Sequence, residues 1–308
     1  MAKITVCVPV YNVEQYIGRC IESIQNQSFK DIEIVVINDS TPDSSMDIVK
    51  QYAAEDGRIK TFEHDVNHGL MMARRTGYMA ATGDFITFCD SDDTLPVDAL
   101  ENLYNEAVRK KADIVSGVIE YIPIEGRSCR WKNQLLYGSD KISVYKSLLR
   151  NEFEHNLCSR LFRRGLLQDH NYVTYEKATN GEDGMLFYQV VEHATKVVEI
   201  NNVVYEYRQN VRSSSQVRLN DTALRSIALL NDIRVKTAGK YTNLSALLNK
   251  KISYVYWDLK SNGYQVEPFF KNVGLNDFCK FSSLIKEQGI FKAIKLLLKL
   301  FLNTKNKS

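Results

Sequence analysis

FITFCDSDD, residues 85–93, sets four residues of strand character, Phe85 to Phe88, directly against Cys89 and then Asp90, Ser91, Asp92 and Asp93. An apolar strand ending in clustered carboxylates reads as the mouth of a site, because ligands of open α/β sheets bind outside the carboxyl ends of the strands. Working back from it, Gly69–Ala81 carries a helical pattern, Ile59–Phe62 a short strand, and Ser44–Tyr52 a helix capped by Asp43 or Ser44. Earlier still lie the β-branched run Ile32–Ile37 (IEIVVI), a helical pattern over Val13–Ile24, and Ile4–Val10 (ITVCVPV), a strand buried on both faces. This alternation predicts an α/β fold with a mostly parallel central sheet and helices on both faces. Polar residues recur where strands end: Tyr11 and Asn12 after the first, Asp39 after the second, Asp90–Asp93 after the fourth.

The composition suits such a fold. With 308 residues, 44% hydrophobic and 25% charged, the chain is long enough for about two domains and needs no disulfide staples. Its 15 Gly and 5 Pro exclude a collagenous or low-complexity chain. Cys7, Cys20, Cys89, Cys129, Cys158 and Cys279 form no C-x-x-C pair and no zinc spacing, so a reducing, cytoplasmic compartment is expected. The residues from Met1 to Val6 do not read as a signal peptide, and no run of 18 apolar residues predicts a membrane span. The net charge of +3 is uneven: Lys240–Ser308 holds twelve lysines and four acids, a balance of +8, which leaves −5 on the first 239 residues. A nucleic-acid surface would use arginine with interleaved aromatics, so no nucleic-acid partner is expected.

Asn38-Asp39-Ser40-Thr41-Pro42-Asp43, read alone, is also a turn leading into a capped helix. Acids ahead of Pro96 likewise suit a helix N-terminus. A cap needs one carboxylate, however, and three within four residues repel one another unless a cation joins them. Hard oxygen ligands of this kind suit Mg²⁺ or Mn²⁺. Neither G-x-G-x-x-G nor a P-loop pattern occurs, which argues against a dinucleotide cofactor and P-loop chemistry.

Four blocks closely resemble family 2 glycosyltransferases of the GT-A fold, in that family's order and spacing. They are Val8-Pro9-Val10-Tyr11-Asn12; Asn38 to Asp43; Asn67-His68-Gly69 with Ala73-Arg74; and Gly83-Asp84-Phe85-Ile86 running into Asp90–Asp93. Asn180-Gly181-Glu182-Asp183 with Phe187 resembles the family's ED element, and Tyr205–Arg208 with Ser213–Ser215 its late Y-x-Y-R…S segment. The resemblance implies an inverting transfer of a sugar from a nucleotide-sugar, usually a UDP-sugar, to an acceptor hydroxyl. The acceptor would be a glycan or lipid-linked glycan in the building of capsule, lipopolysaccharide or another bacterial surface polysaccharide. It places Pro9, Tyr11, Asn12 and Ser91 at the nucleotide, with Tyr11 stacked on uracil and Asp39 accepting from its N3–H. Arg74 would lie near the nucleotide or diphosphate. Asp90 would bind ribose or assist the metal, Asp92 would ligate it, and Asp93 would support or cap. Two departures stand out: Ser40 where many members have Gly, and Arg75 where the family usually has Asn.

Displacing a nucleoside diphosphate builds negative charge on the leaving phosphate, which a bound Mn²⁺ or Mg²⁺ stabilises as a Lewis acid. Inversion by one direct attack needs one general base, typically worth about 10²–10⁴-fold. Asp183 is the candidate and Glu182 the second; both also suit the first turn of a helix predicted over Gly184–His193. Arg208, with Arg212 and Ser213–Ser215, would clamp the diphosphate or form a solvated loop. The five histidines show no ligand or triad spacing and read as surface or satisfied core residues. Two rival functions carry expectations that the chain does not meet. A sugar-nucleotide nucleotidyltransferase would show a basic, glycine-rich N-terminal loop. A non-catalytic nucleotide- or glycan-binding relative should have lost one of Asp39, Asp90, Asp92 and Asp183, and all are present.

Residues 1–120 are expected to form the nucleotide-sugar half of the GT-A domain, 121–216 its acceptor-side half, and 217–308 a helical extension. Near the end, IFKAIKLLLKLFL over Ile290–Leu302 has ten apolar residues of thirteen, with Lys292, Lys295 and Lys299 along one helical stripe. At about 20 Å it is too short to span a hydrocarbon core of about 30 Å. Its apolar face either packs near Ile252–Leu259 or on a second subunit, leaving an oligomer open. Otherwise residues 290–307 lie in the plane of an anionic membrane and hold the enzyme peripheral on its inner face.

Overall fold

β-Branched runs buried on both faces build the first half of the sheet. β1 (Ile4–Val10) and β2 (Ile32–Asn38) pair in parallel, from Ile4 against Ile32 to Val10 against Asn38. β3 (Ile59–Glu63) flanks β2 and β4 (Phe85–Phe88) flanks β1, also in parallel. The crossovers are α1 (Ile17–Gln25), α2 (Ser45–Glu55) and α3 (Leu70–Ala80). α1 buries Ile17, Cys20, Ile21 and Ile24, the i, i+3, i+4, i+7 stripe of a helix against a sheet. The computed structural model describes residues 2–131, 135, 138–178, 181–210, 221–237, 242–262, 264–272, 274–289 and 291–296.

Beyond β4 the sheet becomes mixed, with β6 and β7 reversed. After α4 (Ala99–Lys110) come β5 (Ile114–Ile122), β6 (Cys129–Trp131), α5 (Lys141–Leu149) and β7 (Arg160–Arg163). α6 (Arg164–Gln168), α7 (Glu182–His193) and β8 (Val197–Arg208) follow. β7 inserts between β4 and β5, antiparallel to both, β6 lies antiparallel on β5, and β8 pairs with β5 in parallel. Among the described residues the order is β3-β2-β1-β4-β7-β5-β6, an eight-stranded sheet with β8 on β5. The α/β class with a mostly parallel sheet is therefore as expected.

Two helix starts differ from the sequence reading by two residues or more. α1 begins at Ile17 rather than Val13, because the Val13 and Glu14 amides donate to Ser45 Oγ (3.1 Å) and the Asp43 carboxylate (2.9 Å). These bonds fold Val13–Tyr16 into a turn and tie the loop after β1 to the loop after β2. α7 begins at Glu182 rather than Gly184, so both acids of the ED element lie in its first turn.

The chain divides into two compact units, Met1–Gln216 and Val217–Ser308. In the second, α8 (Asp221–Thr237), α9 (Thr242–Ser261), α10 (Glu267–Asn272), a 3₁₀ turn (Asn276–Cys279) and α11 (Phe281–Gln288) enclose Leu244, Ile252, Tyr256 and Phe270. Residues 291–296 are helical, with Ala293 and Leu296 buried and Lys292 Nζ 4.2 Å from the Tyr254 ring of α9. That is the packed arrangement of this stretch, although Phe291 stays 88% exposed. Ile290 and 297–308, with Lys299, Lys305 and Lys307, lie outside the described residues. No described helix is long and apolar enough to cross a membrane.

Candidate active site

The carboxyl ends of β1, β2 and β4 open onto a cavity of about 390 Å³. Pro9, Tyr11, Asn12, Asp39, Asp90, Ser91 and Asp92 all line it, so the structure gathers seven of the anticipated residues in one place. Tyr11 is 47% exposed there, an aromatic face open to a ligand. Arg74, Glu182, Asp183 and Arg208 are not among the lining residues.

The loops are held by short polar links. Asn12 and Ser40 both have φ of 56°, the left-handed region, so Ser40 keeps the turn that Gly would make, at a cost of roughly 1–2 kcal/mol. The Asn12 amide donates to Thr41 Oγ1 (2.7 Å), and that hydroxyl donates to Asp43 (2.7 Å). Asp39 is buried and accepts from the amides of His68 (2.9 Å) and Gly69 (2.8 Å) and from His64 Nδ1 (2.8 Å). His64 Nε2 lies 2.8 Å from Thr76 Oγ1, so His64 is a satisfied core histidine that orients Asp39. A carboxylate offers about four lone-pair sites, and one of those of Asp39 remains for a ligand.

Past β4 the acids divide by environment. Asp93 is 1% exposed and accepts from the Tyr205 hydroxyl (2.6 Å) and the Arg208 amide (2.7 Å). Burial, then the charges of Asp92 and Asp90, push its carboxyl well above the ordinary range. It lines the cavity beside Asp90 and Asp92. Burial and Asp90 also raise Asp92, which accepts from Asn210 Nδ2. Asp90 accepts from Arg74 Nη2 (2.8 Å) and from the Cys158 thiol (3.4 Å). Among the described residues no three His, Cys, Asp or Glu side chains are grouped to hold a metal ion. Two crowded carboxylates facing a cavity are still a fitting donor set for Mg²⁺ or Mn²⁺, which complete their shells with water and phosphate oxygens.

Arg208 Nε donates to Thr94 Oγ1 (2.9 Å) and its Nη2 to Glu206 (2.6 Å), so its charge is paired beside the cavity. Arg212 and Ser213–Ser215 lie outside the described residues. Glu182 and Asp183, in the first turn of α7, both accept from Arg74 Nη1, and Asp183 also accepts from the Leu157 amide. Asp183 retains 23% exposure of its side chain. Burial, with Glu182 and Asp90 adding to it and Arg74 opposing, pushes its carboxyl up to about 7. Nearby Arg160 is wholly buried between Phe153 and Phe187, its guanidinium 4.7 and 4.2 Å from the two rings.

The sequence reading assigned no role at the site to Asn210, Tyr16 and Tyr207, which line the cavity, or to Arg160. Only Tyr207 carried a signal, through the Y-x-Y-R segment.

Residues 5–170 match the family described as Glycosyl transferase family 2. The chain is 34% identical over 226 residues to Glycosyltransferase GlyA of Streptococcus pneumoniae, covering 70% of this chain and 32% of that protein. It is 32% identical to the uncharacterized glycosyltransferase EpsJ of Bacillus subtilis, over 70% of this chain and 63% of that one. The matched region thus spans less than two thirds of these relatives. Among solved structures, S. aureus TarS 1-349 in complex with UDP-GlcNAc aligns at a TM-score of 0.68 and 19% identity, over 92% of this chain and 81% of that one. That likeness shows the fold, the GT-A arrangement. With the family match covering more than half of its length, this chain belongs to glycosyl transferase family 2.

Proposed function

We propose that the protein is an inverting, metal-dependent glycosyltransferase moving a sugar from a UDP-sugar to a hydroxyl of a surface polysaccharide or lipid-linked glycan. One observation carries the reading: the cavity that Tyr11, Asp39, Asp90 and Asp92 share is joined, through Arg74, to the Asp183 carboxylate in the first turn of α7. Tyr11 stacks on the base and the remaining lone pair of Asp39 accepts its imide N–H. Asp92, with Asp90, holds Mn²⁺ or Mg²⁺, which when bound supplies Lewis-acid stabilisation of the leaving diphosphate. Asp183 accepts the proton of the attacking hydroxyl, for which an affinity near the working pH is best suited. The UDP-GlcNAc of the TarS complex supports a uridine donor. Residues 121–216 serve the acceptor side, and the lysine-rich end steers the enzyme to an anionic membrane where lipid-linked acceptors lie.

A thermal-shift screen of UDP-, GDP-, CDP- and dTDP-sugars with and without Mn²⁺ tests this. A ligand at 100 times its Kd stabilises by about 2.7 kcal/mol, well above detection. UDP compounds should act only with metal. A shift with GDP alone and no metal would overturn the assignment of Asp39 and of the metal pair together.

A further inference from the structure

The resemblance puts Arg74 at the donor, yet its side chain is 2% exposed and does not line the cavity. Its Nη1 donates to Asp183 and to Glu182 (3.1 Å), and its Nη2 to Asp90 (2.8 Å), with Cys158 Sγ at 3.9 Å. Arg74 stands on α3, Asp90 follows β4, and Asp183 opens α7. One planar guanidinium therefore ties the start of α7 to the end of β4. We propose that Arg74 is a positioning residue: it fixes Asp183 in register with the carboxylate pair at the cavity, and it does not bind the donor diphosphate.

This rests on the glycosyltransferase reading and adds a specific dependence to it. Asp90 is also held by the Cys158 thiol and Asp183 by the Leu157 amide, but only the cation joins the three carboxylates to one another. A lysine keeps the charge but is a point donor on a flexible stem and cannot bridge them as a fork does. Without a cation, Asp90, Glu182 and Asp183 repel one another. Asp183 thereby loses its tie to Asp90, and its register with the pair at the cavity goes with it. Asp39, anchored by the His68 and Gly69 amides, has no contact with Arg74 and keeps its place.

The test compares Arg74→Lys, Arg74→Ala and Asp183→Asn. It reads kcat with the active UDP-sugar, the Kd of UDP with Mn²⁺ by calorimetry, and melting temperature. Arg74→Lys should lower kcat about tenfold or more and Arg74→Ala about a hundredfold, with UDP affinity falling by less than kcat, because Asp90 loses one of its two holding bonds while Asp39 and Asp92 have none to Arg74. Guanidinium ion at millimolar concentration should restore part of the kcat of Arg74→Ala and none of that of Asp183→Asn. Adding Arg74→Ala to Asp183→Asn should cost little more than Asp183→Asn alone, because the two act as one unit. Weakened UDP binding with kcat retained would make Arg74 a donor ligand and overturn the proposal, as would losses that multiply. Failure of the underlying reading looks different: wild type then releases no UDP from any UDP-sugar. A crystal structure of Arg74→Lys still decides the positioning claim in that case, since an Asp183 carboxylate unmoved in the variant overturns it.

Discussion

Asp183→Asn removes the proposed base while preserving shape. The Asp183 carboxyl is pushed up to about 7 by its burial and by Glu182 and Asp90, against the pull of Arg74. A base must be unprotonated, so activity rises with pH through that value. A group titrating near 7 makes kcat fall as pH drops from 8 towards 6, and a cation bound at Asp90, by offsetting one of the charges that raise Asp183, moves that limb to lower pH. Asparagine accepts no proton, so the variant should lose about 10²–10⁴-fold, or about 2.7–5.5 kcal/mol of barrier, and its acid limb with it. Glu182→Gln deletes one of the charges that raise Asp183 and should move the limb to lower pH. The assay is initial-rate release of UDP at saturating donor and Mn²⁺ from pH 5.5 to 8.5 for the three proteins. An Asp183→Asn variant that turns over like wild type, or that keeps the same acid limb, refutes Asp183 as the base.

The raised Asp183 carboxyl also has a stability consequence: the native state holds this proton more tightly than the unfolded chain. Its contribution is present below about pH 4 and lost as pH rises through about 7, so the melting temperature of Asp183→Asn relative to wild type should climb over that interval. Gly69→Ala should destabilise by about 2 kcal/mol or more, read as a lower melting temperature, and should weaken UDP binding. Gly69 has φ of 92°, an added Cβ would meet Lys177 Cα at 2.8 Å, and its amide holds Asp39. Full-length protein should sediment with anionic vesicles at low salt and less at high salt, and should lose binding when 289–308 are removed; each basic residue near the surface adds about 1 kcal/mol.

The first half of the sheet was legible because β1 and β2 are short β-branched runs buried on both faces, and little but a parallel α/β sheet accommodates such runs separated by helices. The Asp-rich loop was legible for the complementary reason, since several acids in succession have few other uses. The burial of Arg160 in β7 between Phe153 and Phe187 was not readable, because it comes from tertiary packing that periodicity does not carry. Arg74 shows the limit most clearly. Its partners lie 16, 108 and 109 residues away, and local pattern distinguishes a buried hub from a phosphate-binding arginine only when those positions meet. Asn210 likewise becomes a site residue only once the end of β8 returns beside Asp92.

Calorimetric titration of UDP into wild type and Asp92→Ala, each with Mn²⁺ and with chelator, tests the metal-dependent uridine site most directly. Wild type should bind UDP with Mn²⁺ and lose that binding in chelator, and Asp92→Ala should show the chelated behaviour in both conditions. Equal UDP binding with and without metal, or an Asp92→Ala variant that binds like wild type, would contradict it.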